Sequence, residues 1–156
     1  MLLEEQDRSR WIVAQIDEGV RLVERALAVH RIGPYQLQAA IAAVHAEARA
    51  VADTDWQQIA ALYTELSRTN PSPVISLNHA VAVAMGGDLE KGLALIDALG
   101  ASGQLDNYHL YHAARADLLR RLNRREEALA AYRTALDMTA NRVEADYLRK
   151  RIQALE

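Results

Sequence analysis

Apolar residues along this chain recur at spacings of three and four, and short polar or glycine–proline breaks separate the runs. From Ser9 to about His30, Trp11, Ile12, Ile16, Val20, Val23 and Leu27 follow that spacing, which predicts an amphipathic helix with one buried stripe. Arg31-Ile32-Gly33-Pro34 stops it, with Gly and Pro where a helix stop is expected. A second helix is predicted over about Tyr35 to Val51. A third, within TDWQQIAALYTELSR, is capped by Asp53 or Asp55, with acidic side chains at the helix start as the dipole prefers. Asn70-Pro71-Ser72-Pro73 breaks it. Helix four spans about Val74 to Met85, and Gly86-Gly87-Asp88 makes a turn whose Asp can cap helix five, Leu89 to Leu99. Gly100 to Asn107 is a looser connection. Helices six and seven cover about Tyr108–Leu122 and Arg125–Thr139, and Val143–Leu155 is the last. No segment alternates with period two, so no strand is predicted.

The helices come in pairs that repeat. In the second helix of each pair a small or apolar residue is followed four positions later by another and three later by a third. Gly19, Val23 and Ala26 fit this pattern, as do Ile59, Tyr63 and Leu66, then Gly92, Ile96 and Leu99, and best of all Ala128, Tyr132 and Ala135. The spacings are 40, 33 and 36 residues, and a period near ~34 with two helices per unit is the tetratricopeptide signature. Ala80 and Ala116 take the close-crossing position of the first helices. The large aromatic expected four residues before each is absent, with Ser76 and His112 there instead. One hairpin cannot bury its apolar face alone, so copies stack. The expected fold is therefore all-α, a right-handed superhelix of tetratricopeptide-like hairpins with about eight helices. First helices form its hollow wall, Val143–Leu155 caps the open end, and Arg149-Lys150-Arg151 lies on the solvated side.

Composition narrows the function. At 156 residues and 51% hydrophobic, the chain is one domain's worth with material for a core. Net charge is −3; residues 1–105 carry 8 basic and 13 acidic side chains, residues 106–156 carry 10 and 8. Neither part has the basic excess of a nucleic-acid-binding surface. Without cysteine there is no disulfide frame, thiol nucleophile or zinc knuckle, which fits a cytoplasmic protein. The acidic start MLLEEQDRSR is too polar for a secretory signal. The longest apolar runs, such as AVAVAM, fall far short of the roughly 20 residues of a membrane helix.

Little in the chain points to catalysis. His109 and His112 can share a helix face, but His30, His45 and His79 add no third ligand at zinc spacing, so no metal and no cofactor is expected. No HExxH, phosphate loop or GxSxG occurs, and the carboxylates read as helix caps and exposed pairs. An enzyme is not expected. RRLNRREE, Arg120 to Glu127, reads as a solvated turn: arginines end one helix and glutamates begin the next, both suiting the dipoles. No aromatics interleave there to stack on bases. Polar residues on the first helices are the candidate site instead. In the repeat alignment Gln38, His45, Asn78 and Tyr111 project toward the hollow wall, where an Asn can hydrogen-bond an extended peptide. The alternative is that Asn78 ties down a neighbouring turn.

Three stretches in this order and spacing are LLEEQDRSRW (Leu2–Trp11), GPYQLQAAIAAVHAEA (Gly33–Ala48) followed by TDWQQIAALY (Thr54–Tyr63), and PSPVISLNHAVAVAMGGDLEKGLALIDAL (Pro71–Leu99). They resemble the C-terminal tetratricopeptide-like extension of bacterial extracytoplasmic-function sigma factors, and HAARADLLRRLNRREEALAAYRTAL (His112–Leu136) resembles the end of that extension. His79 stands where the family would place Arg. The resemblance implies a sigma core upstream, with residues 1–10 as the junction to it, residues 11–156 as the tetratricopeptide-like domain, and Met1 as a start that is not the natural one. It implies a regulatory module that modulates sigma activity. The sigma core and RNA polymerase would be its partners, together with small YCII-related proteins encoded nearby, and it would make no direct nucleic-acid contact. A stand-alone tetratricopeptide adaptor and a small-molecule sensor using the inner-wall histidines and tyrosines are the rival readings.

Overall fold

The computed structural model describes residues 12–28, 33–48 and 50–156. Over these residues the protein is all-α: α1 (Val13–Ala28), α2 (Pro34–Glu47), α3 (Trp56–Thr69), α4 (Pro73–Met85), α5 (Leu89–Gly100), α6 (His109–Arg121), α7 (Arg125–Met138) and α8 (Arg142–Gln153), with one 3-10 turn at Val51–Asp53. No strand occurs among the described residues. The junction at Leu2–Trp11, the stripe residue Trp11 and His30 lie outside them, as do the side chains of Ala26 and Leu27. The described residues form two compact units, divided within α4 between His79 and Ala80.

In the first unit α1 packs on α2 and α2 on α3. Pro34 occupies the opening turn of α2, where its missing N–H costs nothing. Gln36 reaches back so that its Oε1 accepts from the Gly33 N–H at 3.1 Å. One side of α2 buries Leu37, Ala40, Ile41 and Val44, while α3 buries Ile59 and Leu66. The other side of α2 presents Ala39, Ala42, Ala43 and Ala46, which with Ile16, Gly19, Val20 and Val23 of α1 line an apolar cleft of about 240 Å³. These short side chains explain a departure from expectation. Among the described side chains the α1 stripe (Ile12, Ile16, Val20 and Val23) is at most half-buried, because alanines do not reach far enough to cover it.

The second helix also ends sooner than its sequence implies. Ala48 leaves the helix with ψ of 124°, and the chain passes through the 3-10 turn before Asp55, not Asp53, caps α3 by accepting from the Gln58 N–H at 2.9 Å. Ala48 and Thr54 are buried in this connection, so tertiary burial overrides a helix-favouring stretch.

The second unit holds the clearest repeat. α4 and α6 close with the same backbone arrangement. The Gly87 N–H donates to Ala84 O at 3.1 Å and Asp88 N–H to Val83 O at 3.4 Å; Asn123 N–H donates to Arg120 O at 3.0 Å and Arg124 N–H to Leu119 O at 2.9 Å. Each closure needs a left-handed residue, supplied by Gly87 (φ 114°) and by Asn123 (φ 60°). The following helix then starts differently in the two copies. The Asp88 side chain accepts from the Lys91 N–H at 3.1 Å, whereas Arg124 provides no side-chain cap to α7.

Close crossings occur where the repeat alignment places them. A Cβ built on Gly92 would stand 2.8 Å from the Ala80 carbonyl oxygen and 2.4 Å from the Ala84 Cβ, so α4 and α5 meet nearly backbone to backbone. In α6 and α7, Ala116, Ala128, Tyr132 and Ala135 are fully buried. Ile96, Leu119 and Leu148 join them in the core, each contributing roughly 1.5–3 kcal/mol by leaving water. α8 packs on α7, and its Asn141 cap accepts from the Val143 and Glu144 N–H groups at 2.9 and 3.3 Å.

Candidate functional site

Three of the four wall residues belong to the first unit. Gln38 is exposed on α2. His45, two turns further along the same helix, is half-buried and meets the Trp56 ring edge to face at 5.2 Å between centroids. Asn78 is exposed on α4, and its side chain interacts with the Tyr63 hydroxyl of α3. Beside them, at the next residue of each helix, Thr64 Oγ1 lies 3.3 Å from His79 Nε2. Asn78 therefore faces α3 from α4. Burial raises the Tyr63 phenol above its ordinary range, and Asn78 partly offsets that.

Tyr111 departs from its expected place. It lies in the second unit and is only 6% exposed. Its hydroxyl occupies the space a Cβ on Gly100 would need, and its ring meets His112 edge to face. It packs inside the unit instead of standing open on a wall. Burial raises its phenol pKa, opposed by Arg115 and reinforced by Asp97 and Asp106. Arg115 Nε in turn donates to Asp97 at 2.7 Å, joining α6 to α5.

The two histidines of α6 have separate partners. His112 Nε2 lies 2.9 Å from the Asp106 carbonyl oxygen and ties the preceding loop to the helix, which accounts for a histidine where an aromatic was expected. His109 Nε2 lies 2.7 Å from Glu144 Oε2, to which Thr139 also donates at 2.8 Å. Among the described residues no group of three or more His, Asp or Glu side chains could hold a metal ion.

A cluster that the sequence reading passed over stands on α6, α7 and α8. Arg120 Nε and Nη2 donate to Asp117 Oδ1 at 3.2 and 2.6 Å, and Arg121 Nε donates to Oδ2 at 2.8 Å. The Tyr132 hydroxyl donates to the same Oδ1 at 3.4 Å. On α8, Arg151 Nε donates to the Tyr147 hydroxyl at 2.7 Å, with the guanidinium 5.0 Å from that ring's centre. Tyr147 lies within electrostatic reach of both Asp117 and Arg120. Burial works to raise the Asp117 carboxyl, but hydrogen bonds and charge from Arg121 and Arg120 outweigh it and hold the group below its ordinary value. Burial and the Asp117 charge push the Tyr132 phenol well up against the pull of Arg120. The signal was present in the sequence, since Asp117 precedes Arg120 and Arg121 by three and four residues, the spacing of side chains that meet on a helix.

Among the described residues no helix is long and apolar enough to cross a membrane. No protein-family model matches the chain, and no solved structure matches it. The chain is similar to an uncharacterized protein of Rhizobium meliloti (strain 1021), with 43% identity over 155 residues. That alignment takes in 99% of this chain and 36% of the relative's length.

Proposed function

We propose that this chain is a regulatory, protein-interaction domain carried at the C-terminal end of a bacterial extracytoplasmic-function sigma factor, where it modulates transcription initiation through contacts with the sigma core. The observation that carries the reading is the relative. Nearly the whole of this chain aligns with little more than a third of a longer protein, as a domain attached to other functional parts does. The sequence resemblance names those parts as a sigma core. The paired helices and their close crossing at Gly92 support a tetratricopeptide-type scaffold, a class whose use is to present a helix-lined surface to other polypeptides. Under this reading the superhelix presents Gln38 and His45 to a partner, and Asn78 sets the pose of α4 through Tyr63.

The test is run-off transcription with RNA polymerase and the full-length gene product that carries this region, comparing wild type with Asn78→Ala and His45→Ala. A several-fold loss of promoter-directed transcript at unchanged helicity is the expected result. Unchanged transcript, or a full-length product with no polymerase-binding portion, overturns the proposal.

A further inference from the structure

Gly19 and Gly92 hold the same repeat position in the second helices of two pairs, but their surroundings differ. Beside Gly92 the space is taken by α4, the helix that precedes α5 in the chain. The Ala84 Cβ and the Ala80 carbonyl oxygen stand where a Cβ would be, and both alanines are buried. Beside Gly19, among the described residues, a Cβ meets nothing within 4 Å. Nor among those residues does a helix precede α1 as α4 precedes α5 and α6 precedes α7. The face around Gly19 is apolar and open. Its cleft of about 240 Å³ adjoins a second of about 280 Å³, lined by Leu22, Val23, Tyr35, Gln36 and Ala39, with Val23 and Ala39 common to both. Leu22 and Tyr35 are 53% and 85% exposed there, and Ile12 and Val13 at the start of the helix are 60% and 67% exposed. Apolar side chains gathered in this way mark a surface that is covered by something else.

We propose that this face of α1 is the docking surface for one α-helix of the polypeptide that precedes Met1 in a longer protein. That helix presents two small residues, four apart, to Gly19 as α4 presents Ala80 and Ala84 to Gly92. Residues at that spacing share one side of a helix, and a glycine opposite them lets the two backbones approach closely. The leading stretch of this chain does not have that chemistry, since MLLEEQDRSRW contains neither alanine nor glycine. Neither does α1 of a second copy, where Gln15 and Val23 stand four residues to either side of Gly19. A longer protein has polypeptide to supply the helix: the alignment with the Rhizobium meliloti protein takes in 36% of that protein's length. The inference rests on the proposed function in placing this domain within a longer polypeptide, but not on what that polypeptide does. Loss of the transcription effect leaves it standing, and its own failure shows in the amides of α1.

Hydrogen–deuterium exchange of α1 in the full-length gene product that carries this region, set against the 156-residue chain alone, tests it. The α1 amides are expected to exchange roughly tenfold or more slower in the longer protein. Gly19→Leu removes that protection. In the 156-residue chain alone the same substitution does not lower the circular dichroism melt, because the new side chain enters open space, so a folding defect is told apart from lost docking. The photo-crosslinker p-benzoylphenylalanine in place of Leu22, read by mass spectrometry, identifies the occupant, and the expected adduct lies N-terminal to Met1 in the same molecule. Equal α1 exchange in the two proteins, protection that survives Gly19→Leu, or an adduct confined to Leu2–Trp11, to a second copy or to another protein overturns the proposal.

Discussion

Gly92 lies so close to Ala84 that a Cβ added to the glycine would stand 2.4 Å from the alanine's own Cβ. The Ala80 carbonyl oxygen, 2.8 Å from the same point, cannot swing aside as a flexible side chain could. The packing of α5 against α4 thus depends on an absent methyl group. Gly92→Ala gains roughly 0.5–1 kcal/mol of helix propensity but forces the helices apart. The net expectation is a loss of roughly 1–3 kcal/mol, the usual cost of overpacking, measured by denaturant unfolding. Stability equal to or above wild type would mean the crossing is looser than described.

Gly19 holds the aligned position in α1, and a Cβ there meets nothing within 4 Å. Gly19→Ala keeps the propensity gain with no clash to offset it. It should raise α1 stability by roughly 0.5–1 kcal/mol, detected as increased ellipticity at 222 nm on mild heating. One substitution in two copies of the repeat is expected to act with opposite sign.

Asn123 bears the left-handed backbone that Gly87 bears in the preceding copy. Asn123→Gly should stabilise by up to about 1 kcal/mol, and Asn123→Val should destabilise by at least as much, since a β-branched residue is poorly tolerated at positive φ. Equal melting temperatures for the two variants would contradict the turn geometry.

Alkaline pH should unfold the second unit in step with phenol ionisation. Tyr111, Tyr132 and Tyr147 all have pKa values raised by burial above the ordinary 10.0. A folded-state value above the unfolded one gives stability that is complete below pH 10 and lost as pH rises toward the folded value. Absorbance at 295 nm and circular dichroism should therefore change together above pH 10. Tyr132→Phe should move the midpoint to higher pH, and an unmoved midpoint counts against this assignment.

Acid acts on the same cluster from the other side. Asp117 is held below its ordinary 3.8 by Arg121 and Arg120 against the pull of burial. Its contribution is present above pH 3.8 and fades as pH falls through the folded value. The stability gap between wild type and Asp117→Asn should narrow below pH 4, followed by urea titration at several pH values. A gap independent of pH would show that the charge of Asp117 is not what matters.

Breakers made most of the fold legible. Pro73, Gly86-Gly87 and Asn141 mark helix ends that local chemistry alone dictates. The end of α2 was not legible, because Ala48 to Val51 contains no breaker and the stop is set by burial of Ala48 and Thr54. The candidate site was legible only in part. Repeat register indicated which face of a helix a residue shares, but not that Asn78 would be engaged by Tyr63 or that Gly100 would make room for Tyr111. The cluster around Asp117 was hidden in the sequence because Arg120 and Arg121 also suit a helix C-terminus. The partner they share, Asp117, lies on the same helix a turn earlier.

The alanine face of α2 has a consequence for motion. Among the described side chains of α1 none is buried, and its neighbours Ala39, Ala42, Ala43 and Ala46 offer one methyl group each. Peeling α1 away exposes little that was dry, so its amide protons should trade with deuterium through a partial opening that leaves α3 protected. Within the first unit, α1 is the helix to come loose before α3 gives way.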